Sequence, residues 1–579
     1  MKKSIFSTIL LFLVFSFSFL SNTHGQDCPL PQASKVLQGN NISANILNGG
    51  DLFWDRSNAS FSTQEGSNPP AHSIFAAGIW IGGFTGAFTN NPNLKLSAST
   101  YPNETSNDYS TGPLFQFGPP DIEMCTNFDR LWEVTRSEVE AHIADFEDDG
   151  LVNNKQENIY AYPGHQNPFF FDFNNFVLPN SSHGLAPFFD QDADGIYNPD
   201  NGDFPLPSPV NKNNIPEHMI WGIFNDNGNN HTASQGDIVQ AEIQLTVWAF
   251  SCTNNQVIDN TIFTSHKIIN KAASRIDSLH IGMFVDFDLG CFTDDYVGCI
   301  PDMNTFYAYN SDENDGENGD CTGGVSTYAD NPPVQAVTYL NHKMDYFTTT
   351  QPAQNSSLGN SNLPSGFYNL LTGSWTDGTP LTQGGDGLTP GGTPTSFLFD
   401  DNPNDPMGWS MHTENILNGD FRTVSSIDID SLLSQQTTTI DMAYTFYQDE
   451  DLNNIETVNM VYENTPTIQL WYDNQFQAGC DAITSVENNI LKENLIQLFP
   501  NPTTHLLNVK LENPQAVAFD VFDVFDVFDI YGKKVFKQAE SFNSDFQLPI
   551  EHLSEGVYFL KIKIDGEEKF NVRKTGKKK

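Results

Sequence analysis

The stretch that decides the fold is Ile238-Val239-Gln240-Ala241-Glu242-Ile243-Gln244-Leu245-Thr246-Val247-Trp248-Ala249-Phe250. From Val239 to Ala249 every odd-numbered position is apolar, and most positions between them are polar. A period of two residues is typical of a β-strand that turns one face to a core. Residues 257–270 and 279–289 continue the pattern, which predicts a meander, and residues 437–447 add a further alternating strand.

Runs of this kind fill most of residues 27–481. Residues 73–83 are largely apolar, which is typical of a buried strand that ends at a glycine turn. Only residues 137–144 follow a helical pattern, and residues 350–397, rich in Gly, Ser, Thr, Asn and Pro, indicate a long loop. We therefore predict an all-β fold with one or two β-sandwich units, divided near residue 215, followed by a separate C-terminal module.

Composition excludes some classes of partner. The chain has 579 residues, a formal net charge of −45 and 38% hydrophobic residues, so it can bury several cores. Phosphate binding needs clustered Lys and Arg, and so does attachment to an anionic membrane surface. We therefore expect neither a nucleic acid nor an anionic lipid surface as the partner.

The first residues have the order of a secretory signal peptide. Met1-Lys2-Lys3 is positive, residues 5–20 are apolar, and Thr23 and Gly25 are small residues before a predicted cleavage after residue 25. The apolar run is short for an uncleaved anchor, and Gln26-Asp27 does not fit a lipidation signal. We expect a mature chain without a transmembrane segment.

A change of composition near Ser485 predicts a domain boundary. Residues 485–579 carry 13 basic and 14 acidic side chains, whereas residues 26–484 carry 12 basic and 58 acidic ones. The predicted order is a signal peptide (1–25), an N-terminal β-rich region (26–215), a β-sandwich region (216–484) and a nearly neutral module (485–579).

Three motifs follow one another in that module. Phe499-Pro500-Asn501-Pro502 predicts a turn, residues 530–535 a strand that turns at Gly532, and residues 556–563 an alternating strand. With the basic tail, these motifs resemble the type A C-terminal sorting domain of the Bacteroidetes type IX secretion system. An ordinary immunoglobulin-like adhesion module would explain the strands, but less easily the terminal position behind a signal peptide.

The resemblance implies a fold, a partner and a destination. The fold is a small immunoglobulin-like β-sandwich, and the partner is the outer-membrane secretion machinery, which would recognise residues 486–579. The protein would pass through the periplasm and end at the outer-membrane surface or outside the cell. The domain would be removed as the protein is released or attached to lipopolysaccharide.

One part of the module departs from the family pattern. Phe-Asp-Val occurs three times over residues 519–527 and is followed by Phe528-Asp529-Ile530. A repeat of three residues cannot match a strand period of two, so successive Phe side chains would change faces. We expect a bulge, a lengthened loop or register slippage there.

Residues 75–83, 286–290 and 294–298 also resemble a family of secreted, β-rich Bacteroidetes proteins. That family has no assigned catalytic residues, so the resemblance implies delivery to the surface and no specific chemistry.

An aspartate-rich loop within residues 26–215 has calcium-binding spacing. Alternate Asp residues before Gly195 let one tight loop direct three carboxylates at a common centre, as Ca²⁺ requires. The twelfth position is Asn201 instead of the Glu of an EF-hand, and the closer resemblance is to calcium loops of the thrombospondin type 3 kind. The alternative is a solvated acidic turn without metal. The predicted ligands of a structural Ca²⁺ are Asp190, Asp192, Asp194, the carbonyl of Ile196, Asn198 and Asp203.

A second acidic cluster comprises Asp286, Asp288, Asp294 and Asp295. It would either hold a cation or cap the backbone of a loop. Residues 312–316 lack the alternation and indicate a solvated loop.

Seven cysteines occur, at positions 28, 125, 252, 291, 299, 321 and 480. Export permits disulfides, and Cys291 with Cys299 would close a small loop. The odd number predicts at least one free thiol or an intermolecular partner.

No motif of a metalloprotease, serine hydrolase, phosphate-binding loop or dinucleotide site occurs. Trp54 and Trp409 would either stack on sugar rings or belong to the core. The sequence favours a non-enzymatic, calcium-stabilised surface protein that acts in adhesion, glycan binding or surface structure. The alternative is a secreted, glycan-active hydrolase that uses paired carboxylates.

Overall fold

A computed structural model describes residues 28–476, apart from 64–69, 87–92, 116–117, 209, 317–320, 322–325, 331 and 353–356, and seven strands between residues 496 and 577. The chain divides into two compact units, residues 1–480 and 481–579. The predicted signal peptide, the Pro500-Asn501-Pro502 turn and Cys480 lie outside the described residues. Among those residues, no helix is both long and apolar enough to cross a membrane.

The described part of the first unit, which we call the body, contains strands and short helices. The strands are β1 (Ser34–Gln38), β2 (Ile42–Leu47), β3 (Asp51–Leu52), β4 (Phe61–Thr63), β5 (His72–Thr85), β6 (Asn93–Ala98), β7 (Ser110–Thr111), β8 (Trp132–Thr135), β9 (Phe188–Phe189), β10 (Phe204–Pro205), β11 (His218–Asn225), β12 (Ala241–Ala249), β13 (Thr261–Asn270), β14 (Ile276–Phe287), β15 (Asp295–Ile300), β16 (Thr305–Asn310), β17 (Val334–Tyr339), β18 (Tyr346–Thr350), β19 (Arg422–Leu432) and β20 (Thr437–Tyr447). The helices are α1 (Ile122–Phe128), α2 (Arg136–Asp149), α3 (Glu157–Tyr160), α4 (Phe170–Asn174), α5 (Gln256–Asp259), α6 (Pro364–Leu371) and α7 (Asn454–Asp473), with 3-10 turns at Pro199–Asn201 and Pro301–Met303.

Two antiparallel sheets of nine strands build the body. The first has the order β1-β2-β3-β5-β14-β19-β18, with β4 and β6 beside β5, and the second has the order β15-β16-β17-β20-β13-β12-β11-β7, with β8 beside β11. Both sheets contain strands from each side of residue 215. The predicted division near residue 215 therefore falls inside one sandwich, because strands distant in sequence pair in the same sheet.

The main core lies between the two sheets. Ile243, Leu245 and Val247 of β12 belong to the same buried cluster as Ile281 and Met283 of β14. Aromatic pairs also join the sheets, and the ring centroids of Phe306 and Phe347 are 5.7 Å apart. The apolar half of the alternating pattern thus turns inward and supplies most of the driving force for folding.

The other face of the second sheet is covered as well. Glu242, Gln244 and Thr246, the polar half of the β12 pattern, are buried. Next to them, the ring of Trp248 stacks on Phe263 of β13 at 5.8 Å. Two segments cover much of this face. One is residues 160–208, which we call the cap and which lie over Gln244 and Thr246, and the other is the end of α7, whose Trp471 ring lies 6.0 Å from that of Phe263.

The helical content exceeds the sequence prediction. Helix α2 contains the predicted residues 137–144, but α7 was not predicted, although a capping box of Asn453 and Glu456 begins it. The predicted loop 350–397 contains α6, whose Leu370 and Leu371 are buried with Trp80 on the outer face of the first sheet. Few residues of the segment 350–397 are apolar, so its composition did not indicate a part of the core. The apolar residues of α6 nevertheless pack on the sheet.

The disulfides also differ from the prediction. The bonds among described residues include Cys28–Cys125 and Cys291–Cys321, and Cys299 is free and buried. The suggested Cys291–Cys299 loop is therefore wrong, because Cys299 lies in β15 and faces the main core. The expected free thiol is Cys299.

The second unit has two antiparallel sheets, as expected for a small β-sandwich. Strands β21 (Ile496–Phe499), β22 (Leu506–Leu511) and β25 (Phe546–Pro549) form one sheet. The order in the other sheet is β24 (Lys534–Gln538), β23 (Phe522–Asp529), β26 (Gly556–Ile564) and β27 (Glu567–Lys577). The register of β23 shifts between Phe522 and Val524 and again between Val527 and Phe528. The Phe-Asp-Val repeat thus coincides with the expected irregular pairing.

Gly78 of β5 provides a test of the close packing in the first sheet. A Cβ atom at this position would lie 2.3 Å from the backbone oxygen of Ser99, which is held by a hydrogen bond from Trp80 Nε1 at 2.7 Å. We expect Gly78→Ala to lower the free energy of unfolding by about 1–3 kcal/mol, measured by chemical denaturation. Gly118→Ala is the control, because a Cβ there meets nothing within 4 Å. An equal effect of both substitutions would contradict the packing at Gly78.

Candidate functional site

The aspartate-rich loop lies inside the cap, between strands β9 and β10. The two strands pair, and the rings of Phe189 and Phe204 stack at 5.0 Å, so the ends of the loop are held together. The structure brings the carboxylates of Asp190, Asp192 and Asp194 within 4.8 Å of one another. The alternating spacing thus produces the convergence that was predicted.

The hydrogen bonds of these carboxylates define the loop. Asp190 Oδ2 accepts a bond from the backbone N–H of Gly195 at 2.8 Å, and Asp194 Oδ1 accepts one from Ile196 at 2.7 Å. Gly195 has a φ of +80°, a conformation that explains the glycine. Asp190 Oδ1 is buried and has no hydrogen-bond partner among the described residues. Three adjacent negative charges with one unsatisfied oxygen can accommodate a hard cation.

Two other predicted ligands, Asn198 and Asp203, accept hydrogen bonds within the loop. Asn198 Oδ1 accepts a bond from the backbone N–H of Asp200 at 3.1 Å and begins a 3-10 turn. Asp203 is buried, and its two oxygens accept bonds from the backbone of Gln191 and Asn198, each at 2.8 Å. Burial raises the pKa of Asp203, and the charges of Asp190 and Asp192 add to the shift. Asp203 therefore holds the loop at Gln191 and Asn198, and its carboxyl lies close enough to Asp190 and Asp192 to be affected by their charges.

Tyr197 ties the loop to the rest of the cap. Its buried hydroxyl donates to the carbonyl of Ile159 at 2.8 Å, and its backbone N–H donates to the carbonyl of His165 at 2.8 Å. Gly164 lies against the Tyr197 ring, where a Cβ would approach to 2.3 Å. The position of the loop is thereby coupled to His165.

His165 is part of the wall of a cavity of about 520 Å³ between the cap and the outer face of the second sheet. This volume is within the range of small-molecule sites. The cap contributes His165, Gly184, Leu185, Ala186, Pro187, Phe188 and Ser208, and strands β11, β12, β13 and β20 contribute Trp221, Gln244, Thr246, Ser265, Lys267, Thr439 and Asp441.

Two side chains of the sheet hold the cap in place. Lys267 Nζ donates to the carbonyl of His183 at 2.5 Å, and Gln244 Nε2 donates to the carbonyl of Gly184 at 3.1 Å. Burial lowers the pKa of Lys267, although the charge of Glu242 opposes this shift. The cavity wall is therefore preformed by bonds between the cap and the sheet.

Several polar atoms of the lining lack partners. Trp221 Nε1, Asp441 Oδ1 and His165 Nδ1 are buried without a hydrogen bond among the described residues. Asp441 Oδ2, in contrast, accepts bonds from Tyr472 Oη at 2.5 Å and from Asn341 Nδ2 at 3.1 Å. Burial raises the pKa of Asp441. Buried polar groups are normally paired, so open donors and acceptors around one cavity point to a bound molecule or water.

The sequence did not identify this cavity. Its floor comes from four strands that are separated by up to about two hundred residues, and its cover comes from a loop-rich segment. The one local signal was the polar half of the β12 alternation, which includes Gln244 and Thr246. That pattern shows which residues share a face, but it does not show that the face is covered.

The second acidic cluster divides into two groups. Asp286 of β14 accepts a hydrogen bond from Tyr101 Oη and pairs with Arg422 Nε at 3.3 Å. Burial raises the pKa of Asp286 to about 7, although Arg422 opposes the shift. Burial also raises the pKa of Asp288, and the charge of Asp286 adds to it. The counter-charge of Asp286 is thus an arginine.

The other group caps the backbone, which was the alternative interpretation. Asp294 Oδ2 accepts a bond from Gly316 N at 2.8 Å, and Asp295 Oδ2 accepts one from Leu289 N at 3.0 Å. Asp315 is buried and accepts a bond from Cys291 N at 2.8 Å. The expectation of a solvated loop over residues 312–316 is therefore wrong at Asp315.

Trp54 and Trp409 belong to the interior and do not form a sugar platform. Both are buried, and their Nε1 atoms donate to Asp51 Oδ2 at 2.7 Å and to the carbonyl of Gly385 at 3.0 Å.

Comparison with known proteins identifies the C-terminal module. Residues 497–574 match the family described as "Secretion system C-terminal sorting domain", which confirms the predicted resemblance. The domain indicates export to the cell surface or the extracellular space. No curated protein matches the chain.

Three solved structures are distantly similar. A polysaccharide lyase matches at 7% identity and a TM-score of 0.18, over 65% of this chain and 37% of that one. The adhesin domain of Epf from Streptococcus pyogenes matches at 8% identity and a TM-score of 0.11, over 58% and 91%. The BSP domain of a biofilm-associated protein matches at 10% identity and a TM-score of 0.13, over 68% and 70%. The chain thus spans about a third of the lyase, and none of these likenesses carries an argument about function.

Asp286 predicts a pH dependence of stability. Its folded-state pKa of about 7 exceeds the ordinary value of 3.8, so its stabilising contribution is present below pH 4 and is lost as the pH rises through about 7. Asp286→Asn keeps an acceptor for Tyr101 and Arg422 but removes the titration. We expect the unfolding midpoint of this variant, measured relative to that of the unsubstituted chain, to be higher at pH 8 than at pH 5. The check is thermal unfolding at both pH values, and a constant difference would contradict the assignment.

Proposed function

We propose that the body of this exported chain is a non-enzymatic binding module that takes a glycan in the cavity between the cap and the second sheet. We further propose that Ca²⁺ in the Asp190–Asp203 loop stiffens the cap. The observation that carries the proposal is the set of buried, unpartnered polar atoms on Trp221, Asp441 and His165 around one preformed cavity.

The chemistry of the lining suits a sugar. A sugar hydroxyl both donates and accepts hydrogen bonds, and the lining offers a donor at Trp221 Nε1 and an acceptor at Asp441 Oδ1. The hydroxyls of Thr246, Ser265 and Thr439 lie on the same floor and provide bonds of either direction. Apolar atoms of the cap, such as those of Phe188, complete the mixed surface that small-molecule sites use.

The same lining argues for binding without hydrolysis. Carboxylate-based glycoside hydrolysis uses two acidic side chains that flank the scissile bond. Among the described residues that line the cavity, Asp441 is the one carboxylate. Its Oδ2 is already bonded to Tyr472 and Asn341. Lys267, the one lysine of the lining, is occupied by its bond to the cap.

Calcium would act on the cap and would not contact the ligand. The loop connects β9, whose Phe188 lines the cavity, with β10, which precedes Ser208 of the lining. Without a cation, Asp190, Asp192 and Asp194 repel one another at the tip of this connection. A bound Ca²⁺ would remove the repulsion and hold both strands in register at the cavity edge.

Export places this module where extracellular glycans are found. The sorting domain indicates handling by the type IX secretion machinery, for which residues 486–579 are the contact that we propose. Adhesion to a glycan-coated surface is the biological role that this combination supports.

Ligand binding tests the cavity. Trp221→Phe removes the free N–H and keeps most of the ring, and Asp441→Asn removes the negative charge. We expect each substitution to weaken glycan binding by about 3- to 10-fold, which corresponds to one lost hydrogen bond of about 0.5–1.5 kcal/mol. The measurement is a screen of the purified chain on immobilised glycans, followed by titration calorimetry of the glycan that binds.

Trp248→Phe is the matched control, because Trp248 Nε1 is also buried without a partner but does not line the cavity. Equal losses in the Trp221 and Trp248 variants would place binding elsewhere. Turnover of a polysaccharide that Asp441→Asn abolishes would overturn the non-enzymatic reading and support a hydrolase.

Thermal unfolding tests the calcium loop. Ca²⁺ at one hundred times its dissociation constant stabilises a protein by about 2.7 kcal/mol, so the midpoint should rise by several degrees relative to chelator. We expect Asp190→Asn with Asp192→Asn to reduce this rise. Glu147→Gln with Asp148→Asn, which neutralises two exposed acidic residues on α2, should leave the rise unchanged. An unaltered calcium response in the loop variant would show that the loop is a solvated turn.

A further inference from the structure

Three buried carboxylates lie where β14 leads into β15, far in sequence from the calcium loop. Asp294, Asp295 and Asp315 are 0%, 1% and 1% exposed. Carboxylate oxygens of Asp294 and Asp315 lie within 4.8 Å of each other. Cys291 Sγ is equally close, but it is bonded to Cys321 and is therefore not a thiolate ligand.

These carboxylates are only partly satisfied. Each accepts at least one backbone N–H bond: from Gly316 to Asp294, from Leu289 to Asp295 and from Cys291 to Asp315. The second oxygens of Asp294 and Asp295 are different. Both Oδ1 atoms are buried, and neither has a hydrogen-bond partner among the described residues. Unsatisfied carboxylate oxygens in the interior are costly unless a cation or a proton reaches them.

The sequence around these carboxylates supplies no basic side chain. The sequence from residue 276 to residue 342 contains neither Lys nor Arg. After burial, which is the main cause, the charges that raise the pKa of Asp295 are those of Asp294, Asp315 and Asp288. This surrounding differs from that of Asp286, which pairs with Arg422.

The pKa values agree with this description. Burial raises the pKa of Asp294 to about 6 and that of Asp315 to about 7, and neighbouring aspartates add to both shifts. The amide of Asn310 lies close enough to oppose the shift at Asp294, but its Nδ2 forms no hydrogen bond within the described part of the chain.

We propose that Asp294 and Asp315 bind a second divalent cation, of the Ca²⁺ type, beside the Cys291–Cys321 disulfide, with the buried carboxyl of Asp295 next to them in the chain. Oxygen-only ligands in an irregular arrangement suit Ca²⁺ better than Mg²⁺, which needs near-octahedral geometry. The soft cysteine sulfurs that would favour zinc are absent from the set, because Cys291 is oxidised. The cation would join the start of β15 to the segment around Asp315 and reinforce the connection that the disulfide makes.

Calcium binding by a chain that lacks the first loop tests this proposal. The background is the chain from residue 26 onward with Asp190→Asn and Asp192→Asn, and the test variant adds Asp294→Asn and Asp295→Asn. We expect the background to bind one Ca²⁺ per chain in titration calorimetry and the test variant to bind it at least 10-fold more weakly. Asn keeps the acceptors for Gly316 and Leu289, so the backbone capping survives. Asp51→Asn, at a buried carboxyl that accepts a bond from Trp54, is the matched control and should not change calcium binding.

Unfolding midpoints with and without Ca²⁺ distinguish a cation site from a cluster that has a structural role alone. In chelator at pH 8, removal of two unpaired charges should raise the unfolding midpoint of the test variant above that of the background. In excess Ca²⁺ the order should reverse. A background without a calcium response, or the same response in both chains, would overturn the proposal.

A direct measurement avoids any dependence on the folding of a variant. Crystals of the unsubstituted chain, grown with Tb³⁺ in place of Ca²⁺, should give an anomalous peak between Asp294 and Asp315. Absence of that peak, with full occupancy elsewhere in the same crystal, would overturn the site.

Discussion

A shortage of positive charge is the constraint on which the rest of this body depends. Residues 26–484 contain 12 basic and 58 acidic side chains. Lys271 pairs with Glu242 at 3.4 Å, and Arg422 pairs with Asp286 at 3.3 Å. His231 is fully enclosed, with each ring nitrogen 2.7 Å from a carbonyl oxygen, of Leu96 and of Asp226.

The remaining buried acids must be satisfied in another way. Backbone N–H groups donate hydrogen bonds to these acids, as at Asp203, where both oxygens accept bonds from the backbone of its own loop. Such bonds stabilise a carboxylate without adding a positive charge, so neighbouring aspartates still repel one another. Around Asp190 and around Asp294, oxygens that accept backbone hydrogen bonds lie next to oxygens that accept none. For this reason we expect an external cation to stabilise the body most at these two clusters.

Local patterns in the sequence predicted what depends on local geometry. The alternation of residues 238–250 predicted β12, and the spacing of Asp190, Asp192 and Asp194 predicted their convergence, because both follow from a repeat along one segment. The turn, strand and tail motifs likewise predicted the sorting domain. What the sequence missed depends on distant pairing. Cys291 bonds to Cys321 and not to Cys299, and the cavity floor joins Trp221 to Asp441 across four strands. The sequence predicted a long loop in place of helix α6 and a solvated loop around Asp315, because composition does not record what covers a segment.

The charge constraint also connects the two proposed cation sites with export. A carboxylate cluster that needs a divalent cation is weakest where that cation is scarce and strongest where it is plentiful, and weak calcium sites with dissociation constants of about 10⁻⁴–10⁻³ M are typical of extracellular modules. The sorting domain indicates that this chain ends at the surface or outside the cell. A cation in the Asp190–Asp203 loop would therefore stiffen, after export, a cap that its bonds to the sheet already hold over the cavity. The acidic composition would then have a positive role, because it would couple the stability of the cap to the ionic composition of the place where the protein acts.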